Sequence, residues 1–117
     1  MEWDQQTQPR ARVKWPVVLL ASNGHIFGQT LDISLEGALI RSWEKPEFAA
    51  SFNLILKPPE RRQFITVTAR EVWVTPIPWD GGMLLHGIGV EFIRISEPDR
   101  RFLCARILQH LERNPDA

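Results

Sequence analysis

Six short apolar runs, separated by turn residues, constrain the fold of this 117-residue chain more than any other feature of its sequence. Most of them alternate apolar and polar side chains with the two-residue period of a β-strand. They cover residues 15–21, 25–32, 38–42, 51–56, 64–74 and 84–92. Residues 96–113 follow, with apolar positions at helical spacing. We therefore predict an all-β protein, a small six-stranded antiparallel β-barrel with one C-terminal α-helix.

Local irregularities are predicted at three places in this pattern. Asn23-Gly24, between the first two runs, is typical of a tight hairpin turn. The apolar positions of the fifth run change face midway, which indicates either a β-bulge near Arg70-Glu71 or a strand whose covered face changes along its length. Pro76 and Pro78 lack the backbone N–H that a strand ladder uses, so we expect them to stop this strand.

Charge and cysteine content exclude several classes of function. Lys plus Arg and Asp plus Glu number 14 each, and a neutral domain lacks the broad basic surface of sequence-independent DNA or RNA binding. One cysteine excludes an internal disulfide and a cysteine-only metal site. The longest uninterrupted apolar run, Val17 to Ala21, is too short to cross a bilayer, and the first residues show no secretion signal. We expect a cytoplasmic protein without membrane insertion and without a nucleic-acid partner.

Catalytic machinery is also hard to find in the sequence. His25, His86 and His110 are scattered and do not have the spacing of metal ligands. The sequence contains no serine nucleophile elbow and no phosphate-binding loop. The carboxylate pair that most resembles a site, Asp32 and Glu36, is explained by a turn. We predict that the protein is not an enzyme and holds no metal and no cofactor.

A polar turn over residues 32–37 separates the second and third predicted strands. Asp32 and Ser34 can each hydrogen-bond nearby backbone N–H groups and so tighten the turn. Gly37 supplies either a positive φ or room for close approach. The turn presents a carboxylate, a hydroxyl and backbone N–H groups together, which suits a ligand that has both donors and acceptors. A well-made hairpin turn explains the same residues, and both interpretations stay open at this point.

The Asp-x-Ser-x-x-Gly pattern of this turn resembles the second signature of the PilZ domain family. Two further features agree with the resemblance. A basic segment at residues 10–14 lies about twenty residues upstream, and a Gly-Ile-Gly-Val-Glu-Phe stretch at residues 87–92 precedes the predicted helix. The resemblance extends from about Pro9 to Leu111. It implies a flexible tail over residues 1–9 and a single β-barrel domain over residues 10–113 that binds cyclic di-GMP.

The resemblance also implies a binding site at the basic segment and the polar turn. Arginine presents a planar fork that matches guanine O6 and N7, or a phosphate, in bidentate fashion. A carboxylate can accept a hydrogen bond from the guanine amino group, and hydroxyl and backbone N–H groups can reach a phosphate. The predicted ligand-binding residues are Gln8, Arg10, Arg12, Lys14, Asp32, Ser34 and Gly37.

The basic segment departs from the family pattern, which places Arg-x-x-x-Arg just before the first strand. Aligned by the strand that follows, Arg12 takes the second arginine position and Gln8 the first. Aligned by charge, Arg10 and Lys14 have the right spacing, with lysine in place of arginine. Lysine is a point charge without the fork. In either register one guanine-reading arginine is missing or displaced.

Two functions are predicted from these observations. The first is a cyclic di-GMP receptor that relays the signal to a protein partner when the arm from Trp3 through Lys14 becomes ordered over the ligand. The second is a degenerate PilZ adaptor that binds protein partners, such as pilus or motility machinery, without the nucleotide. Five tryptophans favour a contact surface in either case. An oligonucleotide-binding barrel is disfavoured by the neutral charge and by the lack of an aromatic row on one strand face.

Overall fold

A closed antiparallel barrel of six strands, covered at one end by a helix, forms the body of the molecule. The computed structural model describes residues 9–78, 82 and 84–113. The elements are β1 Pro16–Ala21, β2 Gly24–Ile33, β3 Gly37–Ser42, β4 Phe52–Leu56, β5 Ile65–Pro78, β6 Leu84–Arg94 and α1 Glu97–Arg113. The strands follow each other around the barrel in the order β1-β2-β3-β6-β5-β4, and β4 closes on β1. The fold predicted from the sequence is confirmed.

The turn between β1 and β2 shows how local sequence sets the strand register. Ala21 pairs with Gly24, so Ser22 and Asn23 alone form the loop, as the Asn-Gly signal predicted. Gly24 has φ near +123°, a conformation that residues with a Cβ rarely adopt. The Asn23 side chain accepts a hydrogen bond from the Glu47 backbone N–H at 3.0 Å. This bond ties the loop after β3 to the hairpin.

Alternating side chains fill the barrel, and α1 seals one end of it. The largest fully buried side chains include Leu19, Ile26, Ile40, Leu54, Leu56, Ile65, Val67, Ile88 and Val90. Leu103 and Ile107 of α1 are buried with them, and Leu111 is partly buried against the same core. Leu108, which the sequence places on the same helical stripe, is instead about half exposed. The apolar stripe of α1 is therefore narrower than its sequence suggests.

Aromatic and ionic contacts fix α1 to the rest of the barrel. The Arg61 guanidinium lies in the connector between β4 and β5 and donates to the Asp99 carboxylate at 2.6 Å. The same guanidinium stacks over the Phe102 ring, 4.8 Å from its centroid. Phe102 also meets Trp15, with 6.2 Å between ring centroids. These contacts explain why Phe102 is aromatic although it lies off the apolar stripe of the helix.

The strand β5 is irregular where the sequence predicted a bulge. Its pairing with β6 shifts register between Thr68 and Ala69 and again between Glu71 and Trp73, which confirms the bulge predicted near Arg70-Glu71. After these shifts, β5 carries apolar side chains on its outer face as well as its inner one. Trp73 is one of them.

The prediction that Pro76 and Pro78 stop β5 is wrong, because the strand continues to Pro78. The reason lies in the neighbouring strand. β4 pairs with residues 65–69, so the remainder of β5 has β6 on one side and, among the described residues, no strand on the other. A proline is tolerated there when its missing N–H faces the side without a neighbour.

Candidate functional site

The turn between β2 and β3 is built around the Ser34 side chain. The Ser34 backbone N–H donates to the Gly37 carbonyl at 2.8 Å. Its hydroxyl donates to the same carbonyl and accepts from the Glu36 backbone N–H, both at 3.3 Å. Ser34 is fully buried, and Gly37 is buried as the first residue of β3. Ser34 therefore supports the turn from inside, through its backbone N–H and its hydroxyl.

Asp32 lies at the entrance to this turn and meets Arg10 of the basic segment. A register shift between Thr30 and Asp32 interrupts the pairing of β2 with β3 at this point. Arg10 Nε donates to Asp32 Oδ1 at 2.9 Å, and Nη2 donates to the same oxygen. The two side chains are only 12% and 20% exposed. Two residues predicted from the sequence to bind a ligand are thus brought together, as an ion pair with each other.

The chain around Arg10 is packed on the barrel by backbone hydrogen bonds. Ala11 pairs with Ile33 through two such bonds, at 2.8 and 2.9 Å. The Trp15 backbone N–H donates to the hydroxyl of the buried Thr30 at 2.8 Å, and the Thr30 N–H donates to the Trp15 carbonyl at 2.9 Å. Residues 10–15 are therefore docked on the barrel. Trp3, at the start of the arm whose ordering the sequence predicts, lies outside the described residues.

Arg10 is the predicted basic residue that reaches the turn, although Arg12 and Lys14 lie on the same side of the segment. Ala11, Val13 and Trp15 point into the core, so that positions 10, 12 and 14 share the other side of the segment. Arg12 and Lys14 are exposed, and of the three it is Arg10 that contacts Asp32. The structure does not bring Arg12 and Lys14 to the turn. Gln8, the remaining predicted residue, lies outside the described residues.

Two cavities flank the tip of the turn at Leu35 and Glu36. One of about 210 Å³ lies between the turn and α1, and it is lined by Pro9, Leu35, Glu36, Arg100, Cys104, Ile107 and Leu108. The other, of about 330 Å³, lies on the β6 side, and it is lined by Leu35, Glu36, Glu91, Phe92, Ile93, Arg94, Ile95 and Arg100. The first is mainly apolar, and the second carries two arginines and two glutamates.

Arg100 borders both cavities, and sequence reasoning did not identify it. The sequence assigned α1 a packing role, because its apolar stripe and its first-turn acids are the local signals that it carries. Contact between the first turns of α1 and the tip of the turn joins residues about 65 positions apart, and no local pattern reports such a contact. Arg100 adds a forked cation at the tip of the turn, beside Leu35 and Glu36. A ligand with phosphates and planar bases finds complementary groups here.

Neither a metal site nor a membrane-spanning helix is found in the part of the chain that the structure describes. Across residues 9–78, 82 and 84–113, no three His, Cys, Asp or Glu side chains come together as a metal site would need. The helix of the described chain is too short and too polar to span a membrane.

Comparison with known sequences decides the family. A model of the PilZ domain matches residues 4–109. The chain belongs to the PilZ domain family. A search among curated proteins found no match.

Solved structures of PilZ-containing proteins share the fold. The chain superposes on the inhibitor of motility MotI/DgrA of Bacillus subtilis with a TM-score of 0.74 at 15% identity, covering 97% of this chain and 55% of that one. For apo MrkH of K. pneumoniae the TM-score is 0.76 at 17% identity, covering 97% and 53%. The PilZ domain of Escherichia coli YcgR, solved with c-di-GMP, gives 0.70 at 13%, covering 97% and 100%. The chain therefore spans about half of MotI and MrkH and the whole of the YcgR domain. At these identities the likeness shows the fold alone.

Proposed function

We propose that this PilZ domain is a cyclic di-GMP receptor that relays the nucleotide signal to a protein partner. The observation that carries the proposal is the Arg10–Asp32 ion pair at the entrance to the Asp-x-Ser-x-x-Gly turn, whose tip is flanked by two cavities. The YcgR PilZ domain, which has the same fold, was solved with this nucleotide. A PilZ domain is a ligand-binding domain and does not belong to a catalytic family. The neutral charge supports the expectation that the partner is not a nucleic acid.

The ion pair offers the groups that a guanine needs. Guanine accepts hydrogen bonds at O6 and N7 and donates through its amino group. The Arg10 fork matches the acceptors, and the Asp32 carboxylate matches the amino group. A guanine that inserts here exchanges the hydrogen bonds of the ion pair for equivalent bonds to itself. Arg100, on the other side of the turn tip, is placed to meet a phosphate.

The relay runs through α1. The cavity of about 210 Å³ has the turn as one wall and Cys104, Ile107 and Leu108 of the helix as the other. A ligand that fills it contacts the helix and the turn at the same time. Because Leu108 is about half exposed, it belongs both to the cavity and to the outer surface that a partner meets. Binding favours the helix position that best contacts the ligand.

A second candidate is the adaptor that binds protein without the nucleotide. One observation favours it: the Ser34 hydroxyl and the Asp32 carboxylate both have partners within the protein. Residues predicted to meet a ligand then act as supports of the turn and of the docked segment. The two candidates differ in whether the native chain binds cyclic di-GMP at all.

Isothermal titration of the purified chain with cyclic di-GMP tests the proposal. We expect the native chain to bind and Arg10→Ala to lose detectable binding. Arg12→Ala is the matched control. Arg12 lies two residues after Arg10 and carries the same charge, but its side chain does not contact Asp32. The variant should bind within about two-fold of the native chain, a change of well under 1.4 kcal/mol. Absence of binding by the native chain would establish the adaptor instead.

A further inference from the structure

Alternation along β3 places an arginine on the outer face of the barrel, beside Asp32. Ala38 and Ile40 of β3 are fully buried in the core, whereas Leu39 and Arg41 are half-buried and point outward. Leu39 pairs directly with Asp32 of β2. Arg41 is therefore the diagonal neighbour of Asp32 across the two strands. Residues in this relation lie roughly 7–8 Å apart, which a long side chain can span.

A hydrogen bond holds the Arg41 side chain over β2, the strand that carries Asp32. Arg41 Nη2 donates to Gln29 Oε1 at 2.7 Å, and Gln29 is the residue that pairs with Arg41 across the two strands. The bond fixes the direction of the guanidinium. It uses one of five N–H donors, and its acceptor is a neutral amide that leaves the positive charge uncompensated.

The space beside Arg41 suits a planar base. Arg41 lines a groove of about 280 Å³, together with Phe27 and Trp43. These two aromatic residues are 65% and 55% exposed. Nucleobases stack on aromatic side chains, and a guanidinium can stack on a base or hydrogen-bond to its edge. A base that enters the groove therefore meets a forked donor and aromatic surface together.

The lining of the groove favours a base over a phosphate as the group that Arg41 binds. Among the seven residues that line it, Arg41 carries a charge, and Phe27, Trp43 and Leu85 are apolar. A phosphate that leaves water for such surroundings loses hydration that one arginine replaces only in part. A guanine loses less, because its faces are apolar and its O6 and N7 match the arginine fork.

We propose, on the basis of the cyclic di-GMP function proposed above, that Arg41 binds the second guanine of the nucleotide. Cyclic di-GMP carries two guanines, and the Arg10 fork holds one of them. The basic segment departs from the family pattern by one guanine-reading arginine, and Arg41 supplies that fork from β3. One guanine then lies at Arg10 and Asp32, and the other lies in the groove further along the outer face.

Calorimetric titration of single variants with cyclic di-GMP gives the first test. Arg41→Ala should bind at least about ten-fold more weakly than the native chain, within the range that a forked arginine–guanine contact provides. Arg106→Ala is the matched control. Arg106 also has a hydrogen-bonded guanidinium, at 2.8 Å from Glu60, but it lies on α1 and contacts the connector between β4 and β5. This variant should bind within about two-fold of the native chain.

The same titration separates failure of this proposal from failure of the receptor function. If the native chain binds and Arg41→Ala binds equally well, the second guanine does not lie at Arg41, and the receptor function stands. If the native chain itself does not bind cyclic di-GMP, both proposals are overturned.

Arg41→Lys tests whether the contact is to a guanine. Lysine keeps the positive charge but lacks the planar fork, so it would still hold a phosphate. We expect Arg41→Lys to bind cyclic di-GMP as weakly as Arg41→Ala does, and the melting temperature of the ligand-free chain to be unchanged in both variants. Native affinity in Arg41→Lys would assign Arg41 to a phosphate and overturn the proposal. A melting temperature that falls together with the affinity would also overturn it, because Arg41 would then support the fold.

Discussion

Two Arg–Asp ion pairs of nearly equal burial lie at the barrel end that α1 covers. Arg10 and Asp32 are 12% and 20% exposed, and Arg61 and Asp99 are 19% and 14% exposed. The first joins the N-terminal segment to the turn, and the second joins the connector before β5 to the helix. Their chemistry is the same, so any difference in role must come from their surroundings.

The surroundings of the two pairs differ in what lies next to the arginine. Arg61 is covered by the Phe102 ring at 4.8 Å, which stabilises its guanidinium face as a cation–π contact. Arg10 lies next to Pro9, and Pro9 lines the cavity beside the turn. The comparison teaches that an ion pair is a structural tie when its arginine is capped by an aromatic ring. It becomes a ligand candidate when residues close to it in the chain, here Pro9 and Leu35, line a cavity.

Loosening α1 should give the largest effect, because the helix supports both regions. Ile107 is almost fully buried and lines the cavity beside Asp32. Ile107→Ala should lower the free energy of unfolding by about 2–5 kcal/mol, measured by chemical denaturation. Leu108→Ala, one residue along the helix at an exposed position, should change it by less than about 0.5 kcal/mol. Equal small losses in the two variants would mean that α1 does not dock as described.

Removing the carboxylate from each ion pair tests directly whether the two pairs have different roles. Asp32→Ala and Asp99→Ala should each cost about 1–3 kcal/mol of stability, because each leaves a sheltered guanidinium without its charged acceptor. Only Asp32→Ala should also lose cyclic di-GMP binding in a calorimetric titration. If Asp99→Ala loses binding to the same extent, the difference in surroundings does not separate the two roles.

Adding a second arginine to the N-terminal segment tests whether Arg10 belongs to the ligand site. Because Arg10 meets Asp32, we infer that it holds the second position of the Arg-x-x-x-Arg pattern, which places Gln6 in the first. Gln6→Arg should tighten cyclic di-GMP binding about ten-fold, or about 1.4 kcal/mol. Gln8→Arg and Lys14→Arg, the variants that the two sequence alignments favour, should have little effect. Tightening by one of these instead would assign the register to that alignment.

The Ser34 hydroxyl should give the smallest effect. It is buried and bonded within the turn, so Ser34→Ala should cost about 0.5–1.5 kcal/mol of stability. Binding should weaken far less than in Asp32→Ala, because the hydroxyl supports the turn from inside. Complete loss of binding with an unchanged melting temperature would show that the hydroxyl contacts the ligand directly.

Local pattern predicted most of the fold. Strand number, the Asn23-Gly24 hairpin and the bulge in β5 all follow from alternation and turn chemistry within about ten residues. The end of β5 did not, because whether a proline breaks a strand depends on a neighbour, and β4 ends earlier than β5 does. The exposure of Leu108 was also not predicted. A helical stripe shows which residues share one face of the helix, but it does not show how much of that face the barrel covers.

The site was less predictable than the fold. The sequence named Arg10 and Asp32 among seven candidates, but alignment by pattern gave no means of choosing Arg10 over Arg12. That choice follows from the contact of Arg10 with Asp32, which the pairing of Ala11 with Ile33 across 22 residues brings about and which no local pattern reports. The contribution of Arg100 comes from a contact across the fold, which alternation and spacing do not encode.

The prolines of β5 have one more consequence. Residues 70–78 of β5 have β6 on one side and no strand of the described chain on the other, and such an edge ordinarily offers backbone groups to the strand of another chain. Pro76 and Pro78 remove N–H donors from this edge. A strand from another chain would lack N–H donors to pair with along this edge. Both aggregation and partner binding by strand addition are therefore disfavoured. At this edge, side chains rather than backbone groups are then the contacts that a partner protein would use.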